Sequence, residues 1–201
     1  MTEWLIGIKV FLASPNGLRS ERDHFKEIVW EFNETRASIA KVIFLPIMSE
    51  QMTGGTERAQ GRIHKKMEEC DYCITMFFDD LGSPPESDSP QGSASVTDGE
   101  YRKAKELIES GIMNEAVLFF KDVPIERMKD KGPTLTALLE YKEKRKKDSH
   151  FVEFADKEQF KKQVDNHLFK WMMDITGKIK ESGPPVDVLD YHKPSSIAGG
   201  S

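Results

Sequence analysis

Cysteine is scarce in this chain of 201 residues: Cys70 and Cys73 are the only two. That excludes a disulfide-built scaffold, which in a secreted domain carries more. Their spacing spells Cys-x-x-Cys, but the pair falls between the end of a predicted helix and the start of a predicted strand. A redox pair needs its first thiol at a helix N-terminus, where the thiolate is stabilised. A zinc site needs about four ligands, and only His64 is near in sequence. Both cysteines are therefore read as core packing. Long apolar runs are missing too: nothing approaches the roughly 18 apolar residues of a membrane span. The start, Met1-Thr-Glu-Trp4, lacks the basic stretch of a secretory signal, and Lys9 breaks the apolar run behind it. These absences point to a cytoplasmic protein with no membrane partner. With 29 basic and 34 acidic residues the formal charge is −5, so no global field draws nucleic acid or anionic lipid.

Familiar chemical signatures are absent as well. There is no GxGxxG, no GxxxxGK[ST] and no HExxH. The histidines, His24, His64, His150, His167 and His192, show no ligand spacing. Classical dinucleotide binding, P-loop hydrolysis and zinc proteolysis are disfavoured, and no metal or bound cofactor is expected. The basic run Lys142-Glu-Lys-Arg-Lys-Lys147 lacks interleaved aromatics and sits at a predicted helix C-terminus. It reads as a solvated helix end suited to the macrodipole rather than a nucleic-acid patch.

What is present is an alternation of strands and helices. Apolar runs at Ile6–Leu12, Val42–Ile47, Tyr72–Phe78, Glu115–Phe120 and His150–Phe154 predict five strands. The third is apolar almost throughout, as a central parallel strand buried on both faces requires. Pro46 suits an edge or a strand end. Helical spacing predicts helices over about Arg19–Thr35, Glu57–Glu69, Thr97–Ser110 and Thr134–Lys147, with a last helix capped by Asp156. Right-handed crossovers then give a three-layer, flavodoxin-like α/β fold with a five-stranded parallel sheet in the order 2-1-3-4-5. Residues 1–181 form the domain. Residues 182–201, opened by Gly183-Pro-Pro185, read as a linker or tail that could lead to further domains.

In such a sheet the ligand lies outside the strand carboxyl ends, at the switch between the first and third strands. Two turn-rich segments fall there: Ser14, Pro15, Asn16 and Gly17, and the long loop from Gly82 and Ser83 to Ser95. Thr97-Asp-Gly-Glu100-Tyr101 follows that loop. Two readings of Glu100 stand side by side. As a carboxylate near the strand ends it could bind ribose and stabilise the oxocarbenium-like charge of glycosidic cleavage. With Thr97 as N-cap it would instead be the capping-box partner at the third helical position.

The opening segment, Lys9-Val-Phe-Leu-Ala-Ser-Pro-Asn-Gly-Leu-Arg-Ser-Glu-Arg-Asp23, resembles an uncharacterised TIR-like family found at the N-termini of NACHT and WD-repeat proteins of the STAND class. The matching features are the strand ending at Phe11–Ser14, with Ala13 in place of the usual serine, and the pair Glu21-Arg22. Glu69-Cys-Asp71, Gly82-Ser83, Thr97, Glu100-Tyr101, Ala104, Phe151, Phe154 and the helix to Trp171 continue the likeness, which covers roughly Ile8 to Met173. The resemblance implies a TIR-type fold and cleavage of the N-glycosidic bond of NAD or a related nucleotide, with Glu100 catalytic. NAD is then substrate, not cofactor. On that reading Ser14, Asn16 and the backbone of the first turn, Ser14-Pro15-Asn16-Gly17, hold phosphate or ribose, Phe78 or Tyr101 contacts base or ribose, and Gly82 and Ser83 also bind substrate; the resemblance further implies activation by self-association, with bacterial immune defence as the context. A non-enzymatic adapter is the alternative. Nucleoside 2-deoxyribosyltransferases, whose glutamate setting Asp98-Gly-Glu100 loosely resembles, give a third reading.

Overall fold

The apolar runs form five strands: β1 (Ile6–Ala13), β2 (Val42–Met48), β3 (Tyr72–Phe77), β4 (Glu115–Lys121) and β5 (Phe151–Phe154). The computed structural model describes residues 5–48, 59–84, 90–147 and 151–182. All four strand pairings are parallel and the order is β2-β1-β3-β4-β5, as the sequence predicts. The expected turn at Thr53-Gly-Gly55, the start of the second helix at Glu57, His150 and the tail from Gly183 lie outside the described residues.

Period-two alternation divides each central strand between two helical layers. On one side Ile8, Val10 and Leu12 of β1, Ile74 and Met76 of β3, and Phe119 of β4 meet α1 (Arg19–Phe32) and α6 (Lys157–Ser182). There Trp171 stacks on Tyr72 with ring centroids 4.3 Å apart, and its indole donates to Glu115 at 2.7 Å. On the other side Phe11, Ala13 and Cys73 meet α2 (Ala59–Met67) and α3 (Val96–Glu109). Phe77, Leu118 and Phe120 meet α3 and α5 (Gly132–Arg145). The domain is thus a three-layer, flavodoxin-like α/β/α fold. Among the described residues no helix is long and apolar enough to cross a membrane.

Several local outcomes differ from the expectation. The first helix does not end at Thr35: one wide turn over Asn33–Ala37 and a tight turn over Ser38–Ala40 follow α1. The wide turn places the buried Asn33 amide against the edge strand, where it donates to the Phe44 carbonyl and accepts from the Phe44 N–H, both at 2.8 Å. One side chain thereby supplies the backbone pairing that β2 lacks on its outer side. A short helix, α4 (Ile125–Lys129), follows β4 and was not expected. Asp156 does cap α6, accepting from the Gln159 N–H at 2.8 Å.

The basic run at the end of α5 is only partly solvated. Leu138, Tyr141 and Arg145 are buried because their i, i+3, i+7 spacing aligns them on the inward face. Arg145 therefore turns toward α3 instead of water.

Candidate active site

The chain leaves β1 toward α1 on one face and leaves β3 toward α3 on the other, which opens the crevice between their carboxyl ends. Three segments meet there. Gly82 has φ +89°, and a Cβ placed on it would lie 3.1 Å from the Thr97 hydroxyl oxygen and 3.5 Å from the Pro15 side chain. Glycine is needed at Gly82 both for the left-handed backbone and for that close approach. The Gly82 N–H donates to the Asp80 carboxylate at 2.7 Å. The Ser83 carbonyl accepts from the Val96 N–H at 3.0 Å, satisfying one of the free donors of the first turn of α3.

The first turn is braced from α1. The buried Arg22 donates to the Ser14 hydroxyl at 3.0 Å and to the Pro15 carbonyl at 2.8 Å. Its neighbour Glu21 accepts from Lys121, at the end of β4, at 2.6 Å. Burial raises the Glu21 pKa, but this and its other hydrogen bonds bring it below the ordinary range. The Glu21-Arg22 pair thus ties α1 to two strand ends. Asn16 and Gly17 are exposed in the short turn between them.

The N-cap of α3 is Ser95, whose hydroxyl accepts from the Asp98 N–H at 3.0 Å. This corrects the expectation that Thr97 caps the helix with Glu100 as its partner. Counted from Ser95, the third helical position is Asp98 and Glu100 is the fifth, too deep for a capping box.

Asp98 is fully buried and accepts four hydrogen bonds: from the Ala94 N–H at 2.7 Å, Arg102 at 2.8 Å, Tyr141 at 2.7 Å and Arg145 at 2.9 Å. Burial raises its pKa, but these donors together outweigh burial and hold the carboxyl below its usual range. Sequence reasoning misses this residue. The only signal for it is its place three residues after a serine at a helix start.

Glu100 is treated in the opposite way. It is 3 % exposed, and among the described residues no hydrogen bond or ion pair reaches its carboxyl. Burial alone pushes its pKa up to about 8. Thr97, Glu100 and Ala104 share one helix face by their i, i+3, i+7 spacing. Ala104 belongs to the cluster with Phe11 and Cys73. The Cys73 thiol is pushed up by burial and further by the Glu100 charge. Glu100 therefore sits between α3 and the sheet, one helical turn below the Pro15–Gly82–Thr97 contact at the rim.

The other expected residues divide. Ser14, Pro15 and Gly82 gather at this rim, and Ser83 is exposed beside it. Tyr101 is 3 % exposed and packs with Phe77 and Leu118, so its ring faces the α5 layer. Phe78 lies beneath the Lys121 ammonium, 4.6 Å from its ring centre, and lines a separate cleft toward β4 and β5. Cys70 and Cys73 are free and buried, and burial pushes the Cys70 thiol up to about 12, as packing requires.

A buried carboxyl with no donor is poised for two kinds of chemistry. Protonated, it is a hydrogen-bond donor near neutral pH. Ionised, it strongly favours any positive charge brought beside it. No curated protein matches the chain. The family model for a domain of unknown function, DUF4062, matches residues 9–169, a span that includes every residue of this rim. The chain belongs to the DUF4062 family.

Proposed function

We propose that this domain cleaves the N-glycosidic bond of NAD or a related nucleotide, with Glu100 as the central carboxylate. The observation that carries the reading is the Glu100 side chain itself: buried, without a described partner, and shifted up to about 8 by burial alone. Folding gains nothing from such a group, whereas charge stabilisation in a water-poor site does.

In this mechanism the bond between the ribose C1′ and the nicotinamide nitrogen breaks, and its electron pair leaves with the nicotinamide, which becomes neutral. The positive charge passes to the ribose C1′ and ring oxygen, beside the ionised Glu100. Water adds at C1′ and releases a proton, giving ADP-ribose and nicotinamide. Ser14 and the exposed turn at Asn16-Gly17 contact phosphate or ribose. The ionised form of Glu100 does the work, so the rate in the free protein rises with pH toward 8. The carboxyl is covered beneath the rim, and self-association acts by parting the Pro15–Gly82–Thr97 contact above it. The TIR-like resemblance supports the same reaction class.

A second reading, an adapter that works by assembly alone, draws on exposed apolar side chains: Trp30 on α1, and Phe169 with Met173 one turn apart on α6. One experiment separates them. The protein is incubated with NAD, alone and under crowding, and nicotinamide is followed by chromatography, with Glu100→Gln as control. Release by the natural protein and not by the variant supports cleavage. No release under any condition, or equal release by both, refutes it, and assembly without turnover selects the adapter. Free base released from a deoxynucleoside with NAD untouched selects the deoxyribosyltransferase-like reaction.

A further inference from the structure

Thr97, Asp98, Gly99, Glu100 and Tyr101 are all buried, so the first full turn of α3 is enclosed on every side. Asp98 and Glu100 stand two residues apart, which sets their side chains about 200° apart around the helix axis. When one faces α5, the other must face the sheet. The contacts follow that rule. Asp98 reaches α5, where Tyr141 and Arg145 donate to it at 2.7 and 2.9 Å. Tyr101, one turn further along the same face, packs with Phe77, Leu118 and Tyr141, and its ring centre lies 5.5 Å from the Arg145 guanidinium. Glu100 takes the opposite side with Ala104, whose cluster holds Phe11 of β1, Ile63 and Met67 of α2, and Cys73 of β3.

Among the described residues nothing in that cluster donates to Glu100. Its only titratable members are the thiols of Cys70 and Cys73, both pushed up by burial. An ionised carboxyl in such surroundings pulls toward water, and a helix turn free to swing outward would let it go there. Two of the donors to Asp98, the Ala94 N–H and Arg102, belong to α3 and the segment that caps it, so they move with the turn. Tyr141 and Arg145 belong to another helix and fix the turn against the rest of the domain.

We infer that Asp98, held by Tyr141 and Arg145, is a positioning residue: it sets the rotation of α3 and thereby keeps the Glu100 carboxyl beneath the rim, against the sheet. Asp98 and its donors stabilise the fold whatever Glu100 does, and the positioning is an additional role. Its meaning for catalysis rests on the glycosidic reading, but its test does not measure turnover.

The protonation of Glu100 is followed in the full chain by NMR, with glutamate labelled at the carboxyl carbon and the resonance identified by its loss in Glu100→Gln. A midpoint near 8 is expected for the natural protein. Tyr141→Phe removes one donor of α5 and no charge. Arg145→Gln removes a cation on the far side of the helix, which by charge alone would raise the Glu100 midpoint. Positioning demands the opposite: in both variants the turn loosens, water reaches the carboxyl, and the midpoint falls by about one pH unit or more. Circular dichroism confirms that each variant is folded. Tyr141→Phe keeps its ring and decides alone if Arg145→Gln does not fold. A midpoint unchanged in folded Tyr141→Phe, or raised in folded Arg145→Gln, overturns the inference and leaves the proposed reaction standing. A midpoint near 4.5 in the natural protein overturns both.

Discussion

Replacing Glu100 by glutamine should stabilise the protein, and the gain should grow with pH. In the unfolded chain the carboxyl ionises near 4.5, whereas in the fold it holds its proton until about pH 8. Between these values the folded state binds the extra proton, so stability falls as pH rises, by about 1.4 kcal/mol per unit. Below pH 4.5 both states are neutral and the stabilising contribution is complete. It is lost as pH rises through the folded value. The accumulated penalty is about 3 kcal/mol at pH 7 and about 5 kcal/mol at pH 8 and above, as upper figures. Glutamine cannot ionise and avoids all of it. Its amide inherits the same lack of partners as the neutral carboxyl, so that cost enters as an offset independent of pH. The assay is urea unfolding of both proteins at pH 5, 6, 7 and 8, followed by tryptophan fluorescence. The quantity of interest is the difference in stability, in which the other titrating groups cancel. A difference that widens steadily with pH supports the assignment. A difference that stays flat would show an ionised carboxyl with donors of its own, and the chemistry proposed for Glu100 would fall with it.

Three further outcomes concern the same region. Asp98→Asn takes the charge away from Arg102 and the buried Arg145 and should cost about 3–5 kcal/mol, measurable by urea unfolding. Because the folded pKa of Asp98 lies below 3.8, its contribution is complete above that value and disappears as pH falls through the lower folded one. Gly82→Ala forces a left-handed backbone on alanine and crowds the Thr97 hydroxyl, so thermal unfolding should reveal a loss of about 1–3 kcal/mol. Ellman's reagent should leave the native protein unlabelled, because both thiols are buried with raised pKa values, and should report two thiols per chain in denaturant. Fast labelling of the native state would contradict the packing of Cys70 and Cys73.

The architecture was legible because each structural decision is written locally. Continuous apolar runs mark β3 and β4, Pro46 marks an edge strand, and the right-handed crossover rule leaves few orders for five parallel strands. Features were missed where local pattern is silent. Five residues at Ile125–Lys129 are too few to show a helical period. The Asn33 amide pairs with Phe44, eleven residues away, which no turn rule anticipates. Arg145 stands in a run of charges that reads as solvent-facing. Its spacing from Leu138 and Tyr141 puts it on the inward face, but the acceptor that makes a buried guanidinium tolerable there, Asp98, lies 47 residues away on another helix.

The start of α3 shows the same limit at the candidate site. Ser93, Ser95 and Thr97 alternate before the helix, and each is a good N-cap by chemistry alone. Choosing Thr97 puts Glu100 at the position that reaches back to the cap. The observed choice of Ser95 gives that position to Asp98 and moves Glu100 more than a turn into the helix, against the sheet. Two carboxylates two residues apart thus meet opposite environments. Asp98 has four donors and is explained by stability, since removing it leaves buried donors without their acceptor. Glu100 has none among the described residues and works against stability at neutral pH. A glutamine or an apolar residue would serve the fold better there. The proposed reaction gives a carboxyl at Glu100 a reason to stand there despite this cost: ionised at the mouth of the sheet, it would meet the positive charge that develops on the ribose.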